Sequence, residues 1–558
     1  MLSRVRVLAA WALVCVASWA VAERILLIPL DSRPAAGHFA QMIGRMASVE
    51  VTLPPIEHLG RFTDPGNPER IIEWLRDEDY SDVLAVIVST DMVAFGGLIE
   101  SRVDSVPYET AAYRMKRVGF IRQRHPQVPF YAFSAIMRIQ PTATLANASW
   151  RMQLSKYVEL QDRYRRTQRS EYAQSMRNLL ARVPPVELNR YERTRARNHN
   201  LQLHLLQMVK DSLFDYVILG QDDAQPYGPH IPDQEALRRR IAQLGVASRV
   251  YICEGIDQHS NVLVSRALLR AHDWMPRVRV AFSDDAGRRK IASYESKNVE
   301  LSLQDQLLAS GARPVFRDGD HDYSLFLNVP DPRDPLFEGF LQVLIQDIEQ
   351  GFPIAVADIN LAKNGTGDPR LFQALWENHR MQRMLSYAGW NTAGNTMGTA
   401  IPAANVYLLA RKIGVDPLQR ELALREFILH RFVNDFAYHS FTRPKAYELI
   451  DSMSRASREE TYGAEFERVN TLVQVDLAGY LDRYFREQFL GQKFFAGTEQ
   501  YEITSLNDVR IELPWPRAYE VRLQFRIGTS SVSQLEPANR ASGIPPSQSG
   551  RARYLPSP

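Results

Sequence analysis

Apolar segments rich in β-branched residues recur between Arg24 and Asn391, and helical patterns separate many of them. The segments read RILLIPLD, VEVTLPP, DVLAVIVSTD, PFYAFSAIMR, DYVILGQDD, RVYICEG, RVRVAFSDD, YSLFLNVPD, PIAVADIN and MLSYAGWN. Most are nearly continuous in apolar character, which is typical of strands that are buried on both faces and therefore parallel. Their alternation with helices such as NPERIIEWLRDE predicts an α/β fold with a mostly parallel sheet.

Two arrangements of these strands fit the pattern. A TIM-barrel-like fold is favoured, because acidic or amide residues close almost every strand and a barrel gathers such ends at one mouth. The alternative is a pair of doubly wound, Rossmann-like sheets with about five strands each.

The rest of the chain divides by composition and periodicity. A charged stretch with helical spacing interrupts the strands, a helical region follows them, and VRIELPWPRAYEVRLQFRI then alternates apolar and polar residues. The last segment is rich in Ser, Pro, Arg and Gly, which is typical of disorder. We predict an α/β main domain (23–420) with a helical insertion (147–213), a helical segment (421–490), a small β element (491–528) and a disordered tail (529–558).

The first 22 residues have the pattern of a signal peptide. Arg4 and Arg6 precede an apolar run from Val7 to Trp19, and Ala20-Val21-Ala22 is a typical cleavage site. The run is shorter than the roughly 20 apolar residues of a membrane span. We therefore expect cleavage after Ala22, a periplasmic or secreted protein, and no transmembrane span in the mature chain.

Composition limits the choice of partner. The 558 residues carry a formal net charge of +3, and 23% of them are charged. That balance gives no electrostatic reason to expect nucleic acid, and export makes nucleic acid a poor partner. A carbohydrate or other small-molecule substrate is the expected partner.

Carboxylates at strand ends are the strongest candidates for chemistry. Asp222 and Asp223 follow the apolar run DYVILG, and Glu254 closes the next strand, YICEG. Paired carboxylates whose pKa values are pushed apart by their surroundings are what glycoside hydrolysis needs. We predict these three residues as catalytic, while a role in helix capping or in ion pairs with arginine stays open for each of them.

Other strand ends supply candidate substrate-binding residues. PLDSRP places an arginine beside an aspartate, STDMVAFGGLIESR adds a double glycine that permits positive φ, and ADIN ends in an amide. The predicted residues from these motifs are Asp31, Arg33, Asp91, Arg102, Asp358 and Asn360.

The stretch YAGWNTAGNTMGT completes the predicted binding set. Trp390 offers a stacking face, and Asn391 and Asn395 offer amide donors and acceptors for a hydroxyl-rich ligand. The alternative is a plain strand–helix junction in which Asn391 caps the helix and the glycines only permit packing.

Metal and nucleotide motifs are not evident. The sequence has no H-E-x-x-H or C-x-x-C motif, and its glycines match neither G-x-G-x-x-G nor a Walker loop. We predict no cofactor and no metal site, although a divalent cation held by the many strand-end carboxylates stays open.

Several motifs, taken in order, resemble a bacterial family catalogued as domain of unknown function 4127. They are PLDSRP, LGRFTDP, STDMVAFGGLIESR, LGQDDAQPYG, ADINLAKNG, YAGWNTAGNTMGT and LPWPRAYEV. The resemblance implies company in fold and carries no settled activity. A shorter likeness, an aspartate pair after a strand with a later Trp-Asn segment, is similar to N-acetylhexosaminidases of the O-GlcNAcase type. It implies that Asp222 and Asp223 are the catalytic pair and that Asn391 and Asn395 bind the sugar.

The leading hypothesis is an exported enzyme that acts on a carbohydrate or glycoconjugate, by glycoside hydrolysis with carboxylate acid/base chemistry. A non-catalytic cell-envelope protein that binds a glycan or small ligand is the first alternative. A metal-dependent hydrolase is the second.

Overall fold

The computed structural model describes residues 23–315, 320–362, 364–379, 381–454 and 456–532. The predicted signal peptide (1–22) and the tail from residue 533 onward lie outside the described residues. The strands are β1 (Arg24–Ile28), β2 (Glu50–Thr52), β3 (Val83–Ser89), β4 (Phe130–Ile136), β5 (Tyr216–Gln221), β6 (Val250–Glu254), β7 (Arg277–Phe282), β8 (Arg313–Val315), β9 (Tyr323–Asn328), β10 (Ile354–Asp358), β11 (Ser386–Ala388), β12 (Lys493–Ala496), β13 (Glu499–Glu512) and β14 (Arg522–Ser531).

Helices connect most of the strands. The α-helices are α1 (His38–Met46), α2 (Pro68–Asp77), α3 (Thr90–Phe95), α4 (Leu98–Ser101), α5 (Tyr108–Arg124), α6 (Arg151–Thr167), α7 (Ser170–Leu180), α8 (Pro185–Lys210), α9 (His230–Leu244), α10 (His259–Ala271), α11 (Val299–Ser310), α12 (Asp334–Glu349), α13 (Pro369–Glu377), α14 (Ala393–Lys412), α15 (Pro417–Arg431), α16 (Arg443–Asp451) and α17 (Gly463–Gln488). A π-helix, Phe432–Thr442, joins α15 to α16, and short 3-10 turns cover Pro34–Ala36, Ile56–His58, Leu145–Asn147, Gly287–Arg289 and Met381–Arg383.

The parallel strands form two open sheets. The first has the order β2-β1-β3-β4-β5-β6, and the second has the order β8-β7-β9-β10-β11. In the first sheet β2 lies at the edge, and β1 lies between β2 and β3. In the second sheet β8 lies at the edge, and β7 lies between β8 and β9. This is the doubly wound order, and ligands of such sheets bind beside the carboxyl ends of the strands where the order reverses.

The α/β class and the mostly parallel strands are confirmed, but the favoured barrel is not the architecture. In the described chain β6 ends the first sheet and pairs only with β5, while β7 starts a separate sheet. The alternative of two doubly wound sheets describes the arrangement. Acidic strand ends could not separate the two, because both folds place such ends along one edge.

Helices cover both faces of the first sheet because its strands are apolar on both sides. Leu26 and Ile28 of β1 pack in one cluster with α2 and α5, whereas Ile25 and Leu27 pack in the other cluster with α1 and α10. The second cluster continues through α14 to the second sheet, so one core joins the two sheets.

The predicted helical insertion divides into two parts. Helices α6 and α7 and the start of α8 form a small apolar cluster with Met137 and Ile139. The rest of α8 packs on the first sheet through Leu205 and Val209 and serves as the crossover between β4 and β5.

The chain ends in a three-stranded antiparallel sheet, β12-β13-β14. Strand β14 reaches Ser531, so residues 529–531 are strand rather than the start of a disordered tail. The loop between β13 and β14 returns to the first sheet, where the Trp515 Nε1 donates to the Ser32 Oγ over 2.8 Å. Within the described residues, no helix is both long and apolar enough to cross a membrane.

Candidate functional site

A pocket of about 450 Å³ lies at the carboxyl edge of the first sheet. Loops after β1, β3, β4, β5 and β6 form one side of it, and the β11–α14 turn, the α16–α17 region and the β13–β14 loop form the other. Its charged lining residues are Arg33, Arg102, Arg138, Arg151, Arg458, Arg517, Asp222, Asp223, Asp257 and Glu459. The pocket is therefore lined mainly by guanidinium and carboxylate groups.

Asp222 and Arg102 form a buried ion pair in this pocket. The Arg102 Nη2 lies 2.5 Å from the Asp222 Oδ2, and both side chains are about 6% exposed. Arg102 follows the double glycine, where Gly96 and Gly97 have φ of +98° and +142°, so the turn into α4 uses the backbone freedom that the sequence predicts. The Arg102 Nη1 also donates to the Thr142 Oγ1 over 3.1 Å. Burial lowers the pKa of Arg102, against the opposing charge of Asp222.

Asp223 has a different partner and more access to the pocket. The Arg138 Nη2 lies 2.7 Å from the Asp223 Oδ2, and the Asp223 side chain is 28% exposed. Removal from bulk water raises the pKa of Asp223, the Arg138 charge opposes this, and the neighbouring Asp222 adds to the rise. The two adjacent aspartates thus lie in unlike surroundings, as an acid/base pair requires.

Arg33 bridges two carboxylates at the point where the strand order reverses. Its Nη2 lies 2.6 Å from both the Asp31 Oδ2 and the Asp257 Oδ1. Asp31 faces a neighbouring, larger cavity of about 680 Å³ between α1 and the C-terminal sheet. That cavity shares Arg33 but is not lined by the acids that follow β5 and β6, so the smaller pocket is the candidate site.

Asn391 and Tyr519 close the pocket from the side of the second sheet. Asn391 has a φ of +57°, and its Oδ1 accepts a hydrogen bond from the Tyr519 hydroxyl over 2.9 Å. Tyr519 is 43% exposed and lines the pocket with Tyr447. An exposed aromatic ring beside amide and carboxylate groups can take both the apolar face and the hydroxyls of a sugar.

The structure brings together part of the predicted site. Arg33, Arg102, Asp222, Asp223 and Asn391 all line the pocket.

Three predicted strand-end acids do not face it. Asp31 is held by Arg33 and lines the larger cavity. Asp91 is buried and accepts from the Ala135 N–H over 2.9 Å, and burial raises its pKa to about 6. Glu254 is fully buried, and its Oε1 accepts from the Ser296 hydroxyl over 2.5 Å. Glu254 therefore does not line the pocket, and its catalytic role stays a prediction.

Asp358 and Asn360 lie at the carboxyl edge of the second sheet and are bound by their neighbours. The Asp358 carboxylate accepts from the Asp368 N–H over 2.6 Å and from the Asn328 amide over 2.9 Å. The Asn360 amide donates to the Asp368 Oδ2 over 2.8 Å. These bonds hold the loop after β10 against the ends of β9 and β10, and neither residue lines the pocket.

Trp390 and Asn395 are core residues. Trp390 is buried against Phe39, with ring centroids 5.6 Å apart, and its backbone N–H donates to the Thr396 Oγ1. The Asn395 amide donates to the Gln258 Oε1 over 2.7 Å. The helix cap is Thr392, so the alternative of a cap at Asn391 is also wrong. The predicted stacking face is occupied by the protein's own core.

Sequence reasoning missed the residues that complete the pocket, chiefly Arg138, Arg151, Arg458, Arg517 and Tyr519. Arg138 closes the predicted strand PFYAFSAIMR, so its position at a strand end was a usable signal. The other four come from α6, the α16–α17 connection and the β13–β14 loop, and only the tertiary fold brings them to the first sheet.

Among the described residues, no group of three or more His, Cys, Asp or Glu side chains is arranged to hold a metal ion.

Fold and site together define a two-sheet α/β protein with an arginine- and aspartate-lined pocket at the carboxyl edge of its first sheet. The family described as "Protein of unknown function (DUF4127)" matches residues 25–524, and the chain belongs to that family. The resemblance found in the ordered motifs is thereby confirmed. Comparison with curated proteins and with solved structures gave no match.

Proposed function

We propose that the protein is an exported enzyme that hydrolyses a glycosidic bond of a carbohydrate or glycoconjugate in this pocket. The observation that carries the proposal is Asp223. It is a carboxyl group of raised pKa that lines the pocket, next to a second carboxylate and opposite Tyr519 and Asn391. A proton donor, a negative charge and a sugar-binding surface are the parts that such a reaction needs.

In the proposed reaction the protonated Asp223 gives its proton to the glycosidic oxygen as the bond from that oxygen to the anomeric carbon breaks. Asp222 supplies negative charge beside the cationic transition state. Water then adds to the anomeric carbon, and its proton returns to the Asp223 carboxylate. The products are the free sugar and the alcohol of the leaving group, so atoms and charge balance.

The test is turnover of a panel of chromogenic glycosides by the purified mature protein, with and without a chelator. Asp223→Asn should reduce kcat by about 10²–10⁴-fold, the usual contribution of a positioned proton donor. The melting temperature should change little, because the amide has nearly the shape of the carboxyl group. Asp285→Asn is the matched control, since Asp285 is an 83% exposed strand-end acid of the second sheet. Unchanged turnover in Asp223→Asn would refute the assignment, and loss of turnover with chelator would favour the metal-dependent alternative.

A non-catalytic binding protein is the second candidate, because both aspartates are ion-paired. Guanidinium groups at 2.5 Å from Asp222 and 2.7 Å from Asp223 suit a binding surface as well as a catalytic one. Ligand binding without turnover of any glycoside in the panel would support this candidate.

Export is part of the proposal and rests on the sequence of residues 1–22. Intact-mass measurement of protein from the periplasmic fraction should give a chain that begins at Glu23. Full-length protein in the cytosol would contradict it.

A further inference from the structure

Three arginines of the pocket use only part of their hydrogen-bonding capacity. The guanidinium of Arg102 holds Asp222, that of Arg138 holds Asp223, and that of Arg151 holds Glu459 over 3.2 Å. Each contact involves a terminal nitrogen, whereas a guanidinium carries five N–H donors.

Four nitrogens of these arginines are shielded but unpartnered, while the Arg102 Nη1 donates to the Thr142 Oγ1. The Nε atoms of Arg102, Arg138 and Arg151, and the Nη1 of Arg151, make no hydrogen bond with any described residue. Arg102 is the most enclosed of the three, with its side chain only 6% exposed. All three arginines line the pocket, where six arginines stand against four carboxylates, so the lining carries an excess of positive charge. An oxyanion that enters the pocket offsets that excess.

The charges of Arg102 and Arg138 also repel each other. Burial and the nearby Arg138 both lower the pKa of Arg102, and only the aspartates oppose them. A neutral sugar would accept hydrogen bonds but would leave this repulsion in place. An oxyanion between the guanidinium groups would both accept from them and offset their charge.

We propose that the pocket recognises an anionic group on its ligand, a carboxylate, phosphate or sulfate, through Arg102, Arg138 and Arg151. The inference rests on the proposed function in taking the ligand to be a sugar or glycoconjugate. Planar guanidinium groups suit all three anions, because each presents paired oxygens that accept two parallel N–H bonds. Asp222 and Glu459 then orient Arg102 and Arg151 and repel an anion placed elsewhere in the pocket.

The test is calorimetric binding of matched sugars to the full mature protein. The probes are glucose, glucuronate, glucose 6-phosphate and glucose 6-sulfate, with inorganic phosphate and sulfate as separate arms. At least one anionic sugar should bind ten-fold or more tightly than glucose, and added salt should weaken its binding but not that of glucose. The sugar that binds best identifies the anion. If inorganic phosphate or sulfate binds as tightly as the matching sugar, the free ion is the ligand.

Arg151→Met should weaken binding of the anionic sugar by about 10- to 100-fold, the usual effect of losing a charge-assisted hydrogen bond. Arg151→Lys should recover only part of that loss, since a lysine lacks the planar fork. Arg486→Met is the control, because Arg486 is an exposed, ion-paired arginine of α17 and does not line the pocket. The affinity of Arg486→Met for the anionic sugar should equal that of the unchanged protein.

Equal affinity for glucose and the anionic sugars, or no binding of any anionic probe at millimolar concentration, would overturn the inference. If Arg151→Met does not fold, the salt dependence of binding to the unchanged protein decides between an anion site and a neutral one. Two outcomes distinguish failure of the anion site from failure of the proposed glycosidase function. Arginine-dependent binding of an anionic sugar without turnover of any glycoside leaves the anion site intact and removes the enzyme. If the protein turns over neutral glycosides and Arg151→Met affects neutral and anionic sugars alike, the enzyme stands and the anion site is refuted.

Discussion

The buried pair Arg102–Asp222 gives the sharpest test of the site as the structure describes it. Its Nη2–Oδ2 distance is 2.5 Å, and neither side chain is more than about 6% exposed. Arg102→Met keeps most of the aliphatic stem and removes the cation, which leaves the Asp222 carboxylate without its counter-ion. Breaking a buried pair from one side costs about 3–5 kcal/mol, because the remaining charge loses its compensation. We expect a loss of that size in the free energy of unfolding.

The double variant Arg102→Met/Asp222→Asn separates the pair from its surroundings. With both charges gone, no uncompensated ion remains, so most of the loss should be recovered. Arg486→Met is again the control, since its pair with Asp482 is exposed and such pairs contribute about 0–1 kcal/mol. Urea denaturation followed by circular dichroism measures all variants, and the double-mutant cycle gives the coupling energy. The buried pair would be refuted if Arg102→Met lost no more unfolding free energy than the control. It would also be refuted if the loss in the double variant equalled the sum of the losses in Arg102→Met and Asp222→Asn.

Three further predictions follow from single side chains. Burial raises the pKa of Glu100 from its ordinary value near 4.5 to about 8. The folded state therefore binds more protons than the unfolded state between these values, so stability falls as pH rises through that window. Glu100→Gln should be more stable than the unchanged protein at pH 8, by about 1.4 kcal/mol per unit of pKa shift, with the difference vanishing near pH 4.5; melting curves across pH would measure it, and a parallel pH dependence would contradict it. Trp390→Ala should cost about 3–5 kcal/mol of stability in urea denaturation, as loss of a core aromatic does, and a stable variant with weaker ligand binding would restore the stacking role. Tyr519→Phe removes one hydrogen bond to Asn391 and should cost about 0.5–1.5 kcal/mol, which calorimetric unfolding would detect; a larger loss would mean that the hydroxyl does more than hold Asn391.

The sequence predicted the strands well because burial on both faces leaves a continuous apolar run. It could not predict how the strands pair. The choice between a barrel and two sheets depends on whether β7 pairs with β6. The residues of either strand would be the same whether or not the two strands paired, so their sequences do not decide it. Helices α1, α10 and α14 pack in the core that joins the two sheets, a tertiary arrangement that the strand sequences do not reveal.

The candidate site was predictable where chemistry follows directly from a strand end. Asp222 and Asp223 lie at the pocket because β5 ends at Gln221 on the carboxyl edge of the sheet. The same logic did not place Glu254 and Asp91 at the pocket, because a strand-end side chain can also be buried in the protein interior, as both of these are. The predicted stacking face of Trp390 is taken up for another reason. An aromatic residue at a strand end fits a core as well as a pocket, and here Phe39 of α1 packs against it.

The two sheets show what turns a polar strand edge into a site. Both have the doubly wound order, and both end in carboxylates and amides. In the second sheet the Asp358 carboxylate is bound by the Asn328 amide at the end of β9 and by the Asp368 N–H of the loop after β10. In the first sheet Asp222 and Asp223 are paired with Arg102 and Arg138, and these groups stand around a pocket.

The β13–β14 loop supplies the last wall of that pocket. Trp515 anchors the loop to Ser32, just after β1, and Tyr519 reaches Asn391 at the start of the β11–α14 turn. The loop therefore joins the edge of the first sheet to the turn of the second. Because the pocket needs residues from 33 to 519, a fragment limited to the first sheet would keep the aspartates but lose Asn391, Arg458, Arg517 and Tyr519. The C-terminal sheet thus contributes to the site itself, through the loop that encloses it.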